Sequence, residues 1–232
     1  MNSSHEKYKK ITIALHSLLE EEGLSKESIE RISNEDLPFL LNWNLQEANK
    51  EAIESVNAII AFSFGYGPQR KDVEFGNQHP YHPKLHKPGE TNISIAKKVR
   101  DFNLPVKAIF AQWEVAEALK DSHGIIIPDT NVARPDKQYL GTSGVIQKFL
   151  ENGLSSDDYT HVAIVAHRHH TYRCWKITEK TFRVQQVQKS LVIPENPTNY
   201  DSESLQPWTR SLNDWIDYEV GNRFHNRYEG NL

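Results

Sequence analysis

Four short runs of apolar residues limit what this chain can fold into. They lie at residues 58–64, 106–110, 125–127 and 162–166, and segments with helical spacing of apolar residues separate them. Runs this short suit strands, and strands that are apolar throughout are covered on both faces. Alternating strands and helices join through right-handed crossovers. The pattern therefore predicts an α/β fold: a Rossmann-like, three-layer, doubly wound and mainly parallel sheet, with helices added at both ends.

The segments outside these runs predict the remaining elements. One helix runs to Phe102 and is capped by Thr91 or Asn92, and residues 184–187 form an edge strand. Further helices are predicted at 7–22, 26–33, 45–56, 113–119, 143–150 and 169–182, and from Trp208 onward. Together these elements account for most of the chain.

We expect all of them to form one domain, because neither an internal repeat nor a low-complexity tract marks a boundary. Residues 1–56 are a helical extension, and residues 57–193 are the Rossmann-like core. Residues 194–232 are a polar connector followed by a C-terminal helix. A chain of 232 residues is long enough for such a packed core.

Composition and charge exclude several function classes. The chain is 38% hydrophobic and 25% charged, with a net charge of −4. This balance provides no basic field to attract nucleic acid or an anionic membrane. The single cysteine, Cys174, excludes an internal disulfide and a cysteine-based zinc site.

The apolar stretch near the N-terminus does not predict a signal peptide. His16 and Ser17 interrupt it, and the acidic residues 20–22 follow at once. No other segment has the length and apolar character needed to cross a bilayer. We therefore expect a cytoplasmic protein.

Ligands of a doubly wound sheet bind beyond the carboxyl ends of the strands, where the strand order reverses. The loop after the first strand contains Gly65, Tyr66, Gly67 and Arg70. Glycines let backbone N–H groups approach an anion closely, so we assign these four residues to ligand binding. A tight turn explains the glycines equally well, because the pattern is GxG rather than GxGxxG.

Two further loops supply polar candidates. Gln112 and Glu114 follow the second strand at a helix start, where Glu114 is either a ligand contact or a partner for the dipole of its own helix. Asp129 follows the third predicted strand, and Thr142 closes the same loop. We assign all four residues to ligand binding.

The loop after the fourth strand is the most informative. His167, His170 and Arg173 are three residues apart, so His170 and Arg173 share one face of the helix that begins there. Arginine suits bidentate recognition of phosphate or carboxylate, and histidine exchanges protons near neutral pH. Cations at a helix start oppose the helix dipole, which disfavours a merely solvated basic surface. We predict His170 and His167 as catalytic residues and Arg173 as a ligand contact.

The long loop after the first strand also contains His79, His82 and His86. Three imidazoles are sufficient for a metal site. The prolines between them exclude a regular helix, so no two rings share a helical face. We favour a lid formed by residues 68–90, and no bound metal.

These motifs resemble those of the YdcF/SanA/ElyC-like family of bacterial proteins. That family has a glycine turn after its first strand, here FSFGYG, and a late S-x-x-H-x-x-R that opens a helix. The late motif is matched by His170 and Arg173, with His167 in place of the serine. Asp129 and Thr142 stand for the family's acid and threonine. AQWEVAEAL corresponds to its Glu-Ala helix, without the usual Ser-Gly-Gly turn.

The resemblance covers residues 57–187. It implies a Rossmann-like domain and, as one candidate cofactor, a nucleoside such as S-adenosylmethionine. We therefore predict a YdcF-like small-molecule-binding enzyme that acts on an anionic or nucleotide-like ligand at the carboxyl edge of the sheet. Two alternatives stay open: a non-catalytic sensor or scaffold that uses the same pocket, and a metal hydrolase that combines the loop histidines with His167.

Overall fold

The computed structural model describes most of the predicted core. The described residues are 13, 16–17, 20–21, 23, 25–31, 47–68, 86–102, 106–120, 130–133, 140–215 and 218. The chain divides into two compact units, residues 1–45 and 46–232. In the first unit, α1 spans Lys26–Arg31. The described positions within the predicted helix at 7–22 are helical.

The second unit alternates helices and strands. In chain order they are α2 (Lys50–Glu54), β1 (Ala58–Ala61), α3 (Glu90–Asp101), β2 (Ala108–Gln112), α4 (Trp113–Lys120), β3 (Thr130–Ala133), α5 (Thr142–Phe149), β4 (His161–Val165), α6 (Arg168–Val184) and β5 (Ser190–Val192). A π-helical turn, Leu150–Leu154, extends α5, and Gly153 within it has the positive φ of 99° that favours glycine. A 3₁₀ turn at Pro207–Thr209 precedes the helical residues 212–215.

The five strands form one sheet in the order β3-β2-β1-β4-β5, and every pair is parallel. Within β1, Ile59 packs on the face that holds α3 and α4, whereas Ile60 packs on the face that holds α5 and α6. Neighbouring strand residues point to opposite faces, so an apolar run is buried on both sides. The predicted doubly wound, three-layer α/β architecture is confirmed.

The strand order fixes where a ligand would bind. β1 has β2 on one side and β4 on the other, so the chain winds outward from β1 in two directions. The crevice of such a sheet opens between the carboxyl ends of the two strands at the reversal, here β1 and β4.

Of the predicted strands, one is untested and one is wrong. The run at 125–127 lies outside the described residues, and the third strand of the sheet is β3, whose Asn131 and Val132 are only half-buried. The predicted edge strand at 184–187 is wrong, because this segment holds the end of α6 and a turn. Val187 packs beneath the end of α6, which accounts for the apolar residue at this position. Its N–H donates to the carbonyl of Phe182.

None of the described helices combines the length and the apolar character that crossing a membrane requires.

Candidate functional site

The first strand ends because side chains take over its hydrogen bonds. Phe62 N–H still donates to the Val165 carbonyl of β4 at 2.9 Å. The next two N–H groups donate to amide side chains instead: Ser63 to Gln112 at 3.2 Å and Phe64 to Asn92 at 2.9 Å. Polar side chains thus replace the ladder at the carboxyl edge of β1.

An irregular segment, residues 194–209, crosses this edge, and we call it the strap. The carbonyl of Pro197 accepts from Arg168 N–H at 2.8 Å, and Leu205 N–H donates to the Tyr66 carbonyl at 3.0 Å. Asn196, which is buried, accepts from Ala166 N–H at 3.4 Å. The strap therefore covers both the glycine turn after β1 and the start of α6.

The glycine turn is packed against the protein itself. Gly65 has φ 81°, which favours glycine, and the space that a Cβ would occupy there is filled by the side chains of Thr209 and Ser204. At Gly67 the same space is filled by the backbone of residues 87–89. The protein's own atoms therefore fill the side-chain direction at both glycines, and ligand contact by their backbone N–H groups stays a prediction.

The crevice between β1 and β4 is lined by aromatic rings. The ring of His167 stacks on Phe64, with centroids 4.3 Å apart and planes 11° apart. Tyr200 of the strap lies 4.4 Å from the His167 ring, tilted by 59°. Trp215 packs against Phe64 at 4.9 Å, edge to face. The four rings form the floor and wall of the crevice.

His167 is fully buried and caps α6. Its Nδ1 accepts from His169 N–H at 3.3 Å, so in the neutral ring the proton lies on Nε2. Nε2 is buried and makes no hydrogen bond of good geometry to a described residue. Burial and the neighbouring His169 lower the pKa of His167 from 6.5 to about 3, and the nearby backbone of Thr198 offsets only part of this. His167 is therefore neutral at physiological pH.

His170 and Arg173 lie together beside Trp215, as their shared helical face predicts. The His170 ring is 5.4 Å from Trp215 and 5.7 Å from Phe64. The Arg173 guanidinium carbon is 5.7 Å from the centre of the Trp215 ring. Burial, and then the charge of Arg173, hold the pKa of His170 well below its usual value. Its buried Nδ1 makes no hydrogen bond within the described part of the chain.

Glu114, at the start of α4, is a deeply buried acid. It is only 1% exposed, and neither carboxyl oxygen makes a hydrogen bond of good geometry to a described residue. Burial raises its pKa from 4.5 to about 8, although its own backbone N–H and the Ser63 side chain favour the charged form. Glu114 therefore keeps its proton at neutral pH and can donate it.

The other predicted site residues have different surroundings. The buried Tyr66 stacks between His86 and Trp113, at 5.6 and 6.1 Å. Thr142 is the first residue of α5. Arg70 and Asp129 lie outside the described residues, as do His79 and His82.

The part of the chain that the structure describes contains no group of three or more His, Cys, Asp or Glu side chains arranged to hold a metal ion. The metal alternative combines three loop histidines with His167, and of the loop histidines only His86 is described.

Sequence reasoning missed the strap. From the sequence, its residues are interpreted as a polar connector, and the apolar spacing around Trp215 as a C-terminal helix. The available signal was Tyr200, an aromatic residue within a polar stretch that also contains Asn196, Asp201 and Ser204. All three of these polar residues are buried.

What the assembled groups can do follows from their protonation. At neutral pH the edge presents a protonated carboxyl at Glu114 and neutral imidazoles at His167 and His170. A carboxyl with a raised pKa can donate a proton. The lowered pKa values of the two imidazoles make them weak bases, so they offer hydrogen bonds to a bound molecule. The edge is thus equipped for acid–base chemistry on a bound molecule.

Comparison with known protein families, with curated proteins and with solved structures finds no match to this chain.

Proposed function

We propose that this protein binds a small anionic or nucleotide-like molecule at the carboxyl edge of its sheet and acts on it by proton transfer. One observation carries the proposal. Glu114, His167 and His170 have buried polar atoms that make no hydrogen bond of good geometry to a described residue. Glu114 lies just beyond the carboxyl end of β2, and both histidines lie just beyond that of β4, the two strands that flank β1. Ligands of this fold bind at this edge.

The energetic argument concerns what such atoms cost. A buried polar group without a partner destabilises a fold by about 1–3 kcal/mol, and native proteins contain few of them. Three at one edge are difficult to explain by stability. A ligand with donors and acceptors would satisfy them, and perturbed pKa values are common where ligands react.

The ligand's chemistry is proposed on two grounds. Arg173 brings a positive charge beside the crevice, which suits a phosphate or carboxylate. The resemblance to the YdcF/SanA/ElyC-like family adds a nucleoside such as S-adenosylmethionine as a candidate. Membership of that family and action in the cytoplasm are parts of the same proposal.

The first experiment is native mass spectrometry of the purified protein, followed by identification of any retained molecule. Incubation with the retained molecule then tests turnover. Glu114→Gln and His170→Ala should each reduce turnover by about 10²–10⁴-fold, the usual contribution of a positioned acid or base. Glu117→Gln, one turn closer to the helix end, is the matched control and should leave turnover unchanged.

A non-catalytic sensor predicts a different pattern. The retained molecule would then stay chemically intact, and His170→Ala would change its affinity only. If Glu114→Gln and Glu117→Gln behaved alike in both binding and turnover, the proposed role of the edge would be wrong.

A further inference from the structure

The outer edge of β5, the last strand of the sheet, is open at one residue. Backbone groups of successive strand residues point to alternate sides, and Ser190 N–H donates inward to the Thr160 carbonyl, just before β4, at 2.9 Å. The N–H and carbonyl of Leu191 therefore point outward, where they bond to no described residue. Further along the same edge, the Ile193 carbonyl accepts from Ala48 N–H at 2.7 Å. The edge is thus covered at Ile193 and offers one donor and one acceptor at Leu191.

The lysine beside this edge does not shield it. An exposed strand edge can pair with another chain, and proteins often protect such an edge with an outward lysine. The amino group of Lys189 donates instead to the carbonyls of Ser156 and Tyr159, at 2.7 and 2.6 Å. The backbone of Leu191 is therefore left accessible.

An apolar groove lies beside the same edge, between the C-terminal half of α6 and β5. Its lining includes Trp175, Phe182 and Leu191. Trp175 and Leu191 are only half-buried, so each has apolar surface that a second protein surface could cover. Burial of apolar surface is the dominant favourable contribution to most protein association. The groove therefore adds to the edge the apolar contact that one pair of backbone bonds lacks.

The charges on the rim of this groove are self-complementary. Glu179 and Arg183 lie one turn apart on α6, and both are exposed and line the groove. Glu179 is also 3.3 Å from the Lys176 amino group, and a carboxylate can accept from two cations at once. Two copies related by a two-fold axis can place the acid of each opposite the base of the other. A partner with charges of one sign would instead leave one of the two groups facing a like charge.

We propose that the open edge of β5 and the groove beside it form an interface between two copies of this chain. A two-fold axis through Leu191, perpendicular to the sheet, makes the two β5 strands antiparallel. Opposite residues of an antiparallel pair exchange both backbone bonds, so the outward N–H and carbonyl of Leu191 each meet their counterpart in the second copy. The two sheets then continue as one. The same axis brings the two α6 helices together, where Glu179 of each copy pairs with Arg183 of the other.

Charge reversal tests the pairing across the axis. Sedimentation equilibrium of the wild type over a range of concentrations should reach twice the mass of one chain. Glu179→Arg places like charges opposite each other twice in the interface, so the dissociation constant should rise about tenfold or more. The double variant Glu179→Arg/Arg183→Glu restores opposite charges and should recover the wild-type constant. Lys180→Glu, an exposed reversal on the same helix but outside the groove, is the matched control and should leave the constant unchanged.

A further variant tests the backbone contact. Leu191→Pro removes the outward N–H, and proline is tolerated in an edge strand whose N–H faces solvent. This variant should have the circular dichroism spectrum of the wild type and the mass of one chain. If Leu191→Pro fails to fold, Glu179→Arg and the double variant decide.

The interface is overturned if the wild type has the mass of one chain at every concentration. A dimer whose dissociation constant does not respond to Glu179→Arg would be held by another surface, which also overturns it. So would a folded Leu191→Pro that stays dimeric, or a double variant that does not recover the affinity lost in Glu179→Arg. These outcomes are independent of the proposed function, whose groups lie at the carboxyl edge of the sheet.

Discussion

One polar side chain at each edge of the sheet shows a difference between the two edges. At the amino edge, just before β1, the Asn57 side chain makes four hydrogen bonds. Its oxygen accepts from the N–H groups of Thr160 and His161, and its nitrogen donates to Asp158 and to the Thr160 hydroxyl. At the carboxyl edge, neither oxygen of Glu114 makes a hydrogen bond of good geometry within the described residues.

The position of a surface groove does not coincide with the edge where hydrogen bonds are missing. A groove of about 760 Å³ lies at the amino edge and includes Trp175, Phe182 and Leu191 in its lining. Lys189, also in this groove, donates to the carbonyls of Ser156 and Tyr159 at 2.7 and 2.6 Å. Its amino group thus links the segment before β5 to the segment before β4. Buried polar atoms that lack good hydrogen bonds, rather than the volume of a groove, mark the edge where a ligand is expected.

The largest expected effect concerns Glu114. Because its pKa is raised from 4.5 to about 8, the folded state holds this proton more tightly than the unfolded state. The resulting stability is fully present below pH 4.5 and is lost as the pH rises toward 8. A pKa difference of about 3.5 corresponds to about 5 kcal/mol at most.

Glu114→Gln, which does not titrate, should therefore lose less stability than the wild type between pH 5 and pH 8. Urea denaturation at the two pH values measures the difference. Parallel pH profiles for the two proteins would contradict the burial of an unpaired acid at this edge.

His167 should give a loss of similar size on the acid side. Its pKa is lowered from 6.5 to about 3, so the unfolded state binds the proton more tightly. The stability from neutral His167 is fully present above pH 6.5 and is lost as the pH falls toward 3, by about 5 kcal/mol at most.

Asparagine is the suitable replacement, because it caps a helix without titrating. Between pH 7 and pH 4, the free energy of unfolding of His167→Asn, measured by urea denaturation, should therefore fall less than that of the wild type. An equal fall in the free energy of unfolding for the two proteins would mean that His167 is not the group that titrates.

The amino edge should respond to a loss of hydrogen bonds with no change in pH dependence. Asn57→Ala removes four bonds that are partly exposed to solvent, at about 0.5 kcal/mol each, so we expect a loss of about 2 kcal/mol. Denaturation at pH 5 and pH 8 should give the same loss. A loss that depends on pH, or an accompanying loss of ligand binding, would remove the contrast between the edges.

The fold was predictable where strands are buried on both faces. β1, β2 and β4 are continuous apolar runs because helices cover each side, and their order along the chain gave the parallel sheet. β3 was missed because it is only half-buried at Asn131 and Val132. Its composition resembles that of a loop, and the more apolar run before it was chosen instead.

The site was predictable where it follows directly from a strand. His167, His170 and Glu114 each lie just beyond a buried strand, so topology brings them to one edge. The strap was not predictable, because its contacts join distant parts of the chain and have no local period. Glu90 N–H, for example, donates to the Asp201 carboxylate, which is 111 residues away.

Arg173→Ala should have the smallest effect on stability. Its effect on ligand binding tests whether the carboxyl edge binds an anion. Its guanidinium lies over Trp215 on a half-buried side chain, and such a contact contributes about 0.5–1 kcal/mol. A hydrogen bond from a charged group to an anionic ligand contributes about 1.5–3 kcal/mol. Arg173→Ala should therefore weaken the binding of adenosine diphosphate more than it lowers the free energy of unfolding. Arg173→Lys should recover only part of the affinity, because lysine lacks the planar fork.

The matched cation at the amino edge is Lys189, whose bonds are to backbone carbonyls. Lys189→Met should lower stability and leave the affinity for adenosine diphosphate unchanged, as calorimetry and urea denaturation of the same samples would measure. If both variants lowered stability alone, Arg173 would be a packing residue like Lys189. The anionic part of the proposed ligand would then have no support at this edge, while the acid–base groups of Glu114 and His170 would be unaffected.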